Sequence, residues 1–522
     1  MQYRIFSENE WVYPDSSTQG GQKTAELHVP RNADVCFQLL TDLDFTENSS
    51  FSFTHTLTEA EPVIYQLLPA LVSENSAIDI HTTLDYESVK HFVTRQAPFT
   101  VYEITKPIEG APDAGRAAFY IRLNVEKNAT PGTHTGEITF TIDGKNIVVP
   151  VSLTVYHAQI PDLADSNFNM MNWLFSPSIE NWHEVKIGTE EFDEILKAYF
   201  ENLIDMRNDM VIIPEGVPVR DKNGRVVDFD FTNAERFGNL ALSCGFKKIM
   251  GGFVARFVNW DDADQFLAWD RSLACTTIEA FRQLKIYFTR AWECVQKNGW
   301  GDRYMQSLVD EPQFPNSLSY RALSGICRQN MPGIKIHDPV ETSDVAGALD
   351  VWVVKQAIFE KYREDFRALQ DCGEEMWIYT CGYPGGKAMN RSVDLPLTVS
   401  RMPLWMCYKY GCTGFLHWGY NSCRQEKGKI TDCCSPIGGT NLKFTPGNAH
   451  VVYNENKRPL YGVRGHLQRA GTYDYELFYQ LGLKDKEKAI SLIEKVCRTL
   501  DDYDPDAALM DSVRKELLEA LG

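Results

Sequence analysis

The chain lacks any apolar run of the length needed to cross a bilayer. The stretch Met1 to Ser16 has no apolar core of the kind a secretory leader carries. Basic charge is also in deficit. The 52 Lys and Arg stand against 71 Asp and Glu, a net charge of −19, which argues against nucleic acid or an anionic membrane as partner. No C-x2-C pair occurs, and the 13 cysteines form an odd set without framework spacing. They read as buried or partly buried thiols of a reducing compartment, and the cytoplasm is the expected location. The nucleophile elbow G-x-S-x-G is missing, as is the Gly-x4-Gly-Lys phosphate loop. Gly385-Gly386 after Pro384 reads as a loop turn, and Cys381-Gly-Tyr-Pro384 carries no signature of a catalytic thiol. No cofactor is expected.

What is present is a chain of 522 residues, 43% hydrophobic, enough for two or three cored domains. Residues 1–160 read as an all-β domain. Short alternating runs recur at Ala25–Val29, Val35–Leu40, Val63–Leu68, Phe119–Val125, Glu137–Ile142 and Ile147–Val155. Asp143-Gly144 is a two-residue hairpin signal between the last two, and a β-sandwich is the expected architecture. Ile160 to Asp165 reads as a linker. From Phe168 the period changes. Apolar strands at Phe168–Phe175, Met210–Ile213, Lys248–Val254, Tyr304–Val309, Ile334–Val340, Val351–Val354, Met376–Cys381 and Gly414–Trp418 alternate with amphipathic segments such as Ile278–Val295. Eight such strands predict a (β/α)8 TIM-type barrel over residues 161–455. A doubly wound sheet competes, but no Gly-rich loop opens its helices. The tail, 456–522, reads as a helical extension packed on the barrel.

The densest chemical signal is Met305-Gln-Ser-Leu-Val-Asp-Glu-Pro312. A strand-like run ends in Asp310 and Glu311, the pattern of a barrel strand delivering acids to its C-terminal mouth. Carboxylates that flank a sugar from opposite faces usually come from different strands. Two neighbours lie on one side of the substrate. They suit a reaction in which one protonates the leaving group and the other orients a nucleophile already on the substrate. The alternative is a surface acidic pair near the N-terminus of the next helix. Other strand ends offer aromatic and polar groups: Asn172 and Trp173, His337, Trp352, Trp377 with Tyr379 and Tyr383, then Trp418, Tyr420 and Asn421. Aromatic faces stack on sugar C–H faces while Asn and His read hydroxyls, so carbohydrate is the expected ligand. Core packing is the competing role for Trp352 and Trp377. His337, Asp338 and His417 lack metal-ligand spacing, and no metal is expected.

Five segments together resemble the glycoside hydrolase family 123 and its uncharacterised relatives: Thr130–Glu137, Leu308–Pro312, Met376–Pro384, Thr413–Asn421, and Gly447–Tyr453 through Asp474–Leu477. They cover most of the chain in order. The resemblance implies a β-sandwich ahead of a barrel, and β-N-acetylgalactosaminidase activity with retention and substrate assistance. Glu311 is then the general acid/base. Asp310 orients the 2-acetamido group, whose oxygen attacks the anomeric carbon to form an oxazolinium ion. Tyr379 or Tyr420 is the expected donor to the acetamide carbonyl. Glu311 needs a raised pKa, which burial beside a second carboxylate would supply. Two alternatives remain: another glycone on the same scaffold, or a carbohydrate-binding protein without catalysis.

Overall fold

The computed structural model describes residues 2–77, 82–83, 86–259, 262–422, 430–438 and 440–522. These fold into two compact units interleaved along the chain. The first comprises Met1–Phe168, Gly382–Tyr410 and Gly419–Gly522, and the second Asn169–Cys381 and Gly411–Trp418.

The first unit holds two sheets. A four-stranded sheet orders Ala25–Arg31, Lys145–Gln159, Gly132–Ile142 and Phe51–His55. A seven-stranded sheet is built on Ala33–Phe45, Gly115–Val125, Glu61–Val72 and Phe99–Pro107. Alternation buries one face of the four-stranded sheet, while the central strands of the seven-stranded sheet are buried on both faces. Phe51, Phe119 and Phe140 meet between the two, with Phe119 and Phe140 centroids 5.1 Å apart. The Asp143-Gly144 hairpin forms as expected. Both residues take positive φ, at 48° and 74°, and Ile142 pairs with Lys145.

Two strands of the seven-stranded sheet come from far along the chain, Val452–Glu455 and Arg458–Gly462, turning at Asn456-Lys457. Residues 456–522, read from sequence as a helical tail on the barrel, belong to this first unit and begin with a strand. The helix Val463–Lys484 follows and is buried on nearly every side. Its charges are matched: Arg464 lies 2.7 Å from Glu103, and Asp474 accepts from Arg401 at 2.5 Å and Arg514 at 3.0 Å.

The second unit is the barrel. Asn169–Asn172, Met210–Ile213, Lys248–Gly251, Tyr304–Gln306, Lys335–Val340, Val351–Lys355, Glu375–Thr380 and Gly414–His417 form one eight-stranded parallel sheet. Each expected strand is present. The barrel is nearly closed. Between its first and second strands, side chains replace the ladder. Asp209 Oδ1 accepts from Met170 N–H at 2.9 Å, and Asn208 Oδ1 from Asn172 N–H at 2.7 Å. Met171, Met210, Met250, Met305, Val351, Val353, Trp377, Tyr379 and Leu416 fill the interior.

Helices such as Glu190–Asp205, capped by Thr189, and Ile278–Lys297, capped by Thr277, return the chain to the next strand. The stripe read over Ile278–Val295 buries Leu284, Phe288, Ala291 and Val295, while Ile278 and Phe281 at its start are exposed. No helix among the described residues is long and apolar enough to cross a membrane.

Candidate functional site

The fourth barrel strand ends early, at Gln306, and a side chain then takes over from the ladder. Asp338, on the fifth strand, accepts from Leu308 N–H at 3.0 Å and from the hydroxyls of Ser307 and Tyr320, the last at 2.7 Å. On the other side, Leu308 O accepts from Val254 N–H at 3.1 Å and Ala255 N–H at 3.0 Å. The segment is held from both flanks as it leaves the barrel.

Glu311 adopts φ 53°, a left-handed conformation that costs a non-glycine residue about 1–3 kcal/mol. Its N–H donates to Pro339 O at 3.1 Å, and Glu341 N–H donates back to Pro312 O at 3.1 Å. These reciprocal bonds fix the turn that presents the acidic pair beside the fifth strand. Such strain gathers where a side chain must be aimed.

The side chains converge from the ends of the third to the seventh strands. Tyr379 donates its hydroxyl to Glu311 Oε1. Lys355 Nζ lies 3.2 Å from the same oxygen and also hydrogen-bonds Glu341. Arg256, beyond the third strand, attracts Asp310 and lies 3.9 Å from Glu215. Three carboxyl groups thus share two cations, one of which also faces a fourth acid.

Burial, Glu311 and Asp338 push the Asp310 carboxyl up to about 8, against the pull of Arg256 and Lys355. Burial and then Glu311 raise Glu341 as well. Burial pushes Asp338 up to about 7 despite its hydrogen bonds. Burial opposes the Lys355 charge, but Cys381, Glu311 and Glu341 outweigh it and raise its pKa. The expectation of a raised carboxyl fell on Glu311. In the structure the neighbouring Asp310 is raised, by burial first, while Lys355 and Tyr379 both serve Glu311.

Of the residues singled out from sequence, the structure brings Asp310, Glu311 and Tyr379 together. Trp173 packs edge-on against Phe253 at 5.3 Å, its indole N–H buried with no acceptor among the described residues. Trp418 lies parallel to His417. The side-chain amide of Asn172 donates to Asn208 Oδ1 at 3.0 Å at the barrel seam. His337 and Trp377 meet edge to face at 4.7 Å in the interior, where burial lowers His337 to about 3. Trp352 faces the helical layer, against Phe366, and donates to Glu374 at 2.9 Å.

Tyr383, Tyr420 and Asn421 belong to the first unit. Tyr383 is exposed, Tyr420 is buried, and Asn421 is bridged to His450.

Glu341, Lys355 and Arg256 escaped the sequence reading. Lys355 and Glu341 are the first charged residues after the apolar ends of their strands, the same position that singled out Asp310. A search for sugar-stacking aromatics passed over them. No group of three or more potential metal ligands occurs among the described residues.

An eight-stranded barrel with a carboxyl cluster where its strands end has the architecture of a barrel hydrolase. The family model described as glycoside hydrolase 123, catalytic domain, matches residues 173–481. The chain belongs to the glycoside hydrolase 123 family and is a glycosidase. Its fold is similar to that of a family 123 glycoside hydrolase from Clostridium perfringens, from a structural study of glycolipid glycan hydrolysis. The two share 14% identity at a TM-score of 0.77, over 99% of this chain and 97% of that one. An endo-β-1,4-mannanase from Thermotoga petrophila aligns over 60% of this chain and 78% of its own, with 12% identity and a TM-score of 0.38. A comparison with curated proteins finds no match.

Proposed function

We propose that this glycosidase removes β-linked 2-acetamido sugars, most specifically β-N-acetylgalactosaminides, from glycan ends with retention of configuration. The carrying observation is the adjacency of Asp310 and Glu311 on one strand end, in unequal surroundings. The acetamide N–H donates to Asp310 while the acetamide oxygen attacks the anomeric carbon. The new carbon–oxygen bond forms as the bond to the aglycone breaks, and Glu311 gives its proton to the leaving oxygen. The oxazolinium cation then faces the Asp310 carboxylate. Water adds to the anomeric carbon, Glu311 takes the water's proton, and the ring opens to the free sugar.

The raised Asp310 fits this cycle. Near neutral pH the raised Asp310 carboxyl holds its proton in the free protein. An acetamide N–H donated to Asp310 favours its anion and shifts the proton to Glu311, where the leaving group needs it. Tyr379 is the nearest neutral donor and can pass from Glu311 to the acetamide carbonyl. The relative from Clostridium perfringens makes glycolipid glycans a natural-substrate class to test.

The test is hydrolysis of aryl β-GalNAc, β-GlcNAc, β-galactoside and β-glucoside, with a thiazoline mimic of the intermediate as inhibitor. Turnover confined to the 2-acetamido sugars, with strong thiazoline inhibition, is the expected result. Turnover of sugars without the acetamide, or indifference to the thiazoline, overturns the mechanism. Sugar binding without turnover in the whole panel supports a binding role instead.

A further inference from the structure

We propose that Glu341 and Lys355, at the ends of the fifth and sixth barrel strands, form a positioning pair that sets the protonation of Glu311. Glu341 engages the Lys355 ammonium, so Glu311 can still carry the proton the leaving group requires. The inference rests on the acid/base role proposed above.

The geometry has three parts. First, Glu341 is fixed beside Glu311 by backbone, through the reciprocal bonds Glu311 N–H to Pro339 O and Glu341 N–H to Pro312 O, each 3.1 Å. The two acids stay neighbours whatever their charge. Second, one ammonium serves both: Lys355 hydrogen-bonds Glu341 and lies 3.2 Å from Glu311 Oε1. Third, the group is shielded. The side chains of Lys355, Glu311 and Glu341 are 8%, 13% and 18% exposed, too buried for water to screen them as it screens a surface pair.

An opposite charge at this range lowers a carboxyl pKa by about 1–3 units. A lysine given wholly to Glu311 would hold it more firmly as the anion and weaken it as an acid. The second carboxylate divides that effect.

The other groups facing this point are few. Asp310 precedes Glu311 in the chain, and Tyr379 donates to it. Cys381 and Glu341 act on Lys355. Arg256 and Asp338 act on Asp310. Among the described residues, Glu341 and Lys355 exchange opposite charges directly beside Glu311.

The experiment is kcat/KM against pH for the whole protein and its E341Q, K355M and K355R variants, with an aryl 2-acetamido glycoside. In E341Q the ammonium commits to Glu311. The alkaline limb is expected to move down by about one unit, so activity falls about tenfold above the new limb and recovers on acidification. K355M moves the limb up, and K355R leaves it in place. Equal losses at every pH, with unmoved limbs in E341Q and K355M, overturn the proposal and leave the pair a structural brace. A wild type that turns over no 2-acetamido glycoside overturns instead the function on which the inference rests.

Discussion

Asp474 in the first unit and Asp310 in the barrel are both enclosed by protein, and their surroundings drive them in opposite directions. Burial pushes each toward neutrality. At Asp474 the guanidinium groups of Arg401 and Arg514, with the indole N–H of Trp405, outweigh burial and lower its pKa. At Asp310 the neighbours are Glu311 and Asp338, and the carboxyl rises to about 8. A buried acid with matched partners is a structural tie. A buried acid among other acids stores repulsion, and that contrast supports the catalytic role proposed for the Asp310 end.

The comparison can be broken first at Glu311. Glu311→Gln is expected to lose roughly 10²–10⁴-fold in kcat/KM, the usual share of general acid–base catalysis, with an unchanged melting temperature. A melting temperature that falls with the activity would make Glu311 another structural tie.

Asp474→Ala should do the reverse. It leaves Arg401 and Arg514 without their carboxylate, and breaking such a buried pair costs about 3–5 kcal/mol. Denaturant unfolding should show that loss while kcat of the folded fraction stays at the wild-type value. A silent substitution would mean the buried pairs contribute little.

Asp338→Ala removes the acceptor that holds Leu308 N–H and the Ser307 and Tyr320 hydroxyls. A displacement of the acidic pair by about 1 Å costs on the order of 100-fold in rate. Single-turnover kinetics should show the loss in kcat rather than in binding.

The two aspartates should also separate by pH. Asp310 titrates near 8 when folded and near 3.8 ordinarily, so the folded state binds the extra proton. Its contribution favours folding at low pH and is lost as pH rises toward and past 8. Asp310→Asn should therefore melt above the wild type at pH 9 and level with it at pH 4. Asp474, whose pKa is lowered, contributes stability at neutral pH that is lost as pH falls through the carboxylate range. Scanning calorimetry at both pH values checks the two signs together. The smallest effect on activity is expected at Trp352→Phe, which forfeits one hydrogen bond to Glu374 and part of a fully buried ring, lowering stability and leaving kcat alone.

All eight barrel strands and the hairpin at Asp143-Gly144 were legible because each rests on a local pattern: an apolar run, a period of two, a turn pair. The acidic pair was legible for the same reason. Lys355 and Glu341 were equally legible, one closing its strand and the other following directly on its own, but the aromatic residues were singled out instead. Trp352 and Trp377 show why that choice misleads. Alternation sends one outward to Phe366 and the other into the interior beside His337, and strand position alone does not tell a lining residue from a packed one.

The tail read as helical, but the setting of Val463–Lys484 was hidden. It is buried nearly all round and carries its charges inward to distant partners such as Glu103, and helical spacing alone does not name those partners. The strand Arg458–Gly462 before it pairs on one side with Phe99–Pro107, more than 300 residues earlier, a pairing no local window contains.

The most direct test of Glu311 as the acid compares kcat/KM of wild type and Glu311→Ala on two 2-acetamido glycosides, one with a dinitrophenyl and one with a methyl leaving group. The account predicts near-normal kcat/KM on the dinitrophenyl glycoside, whose leaving group needs no proton, and a loss of orders of magnitude on the methyl glycoside. An equal loss on both would contradict it.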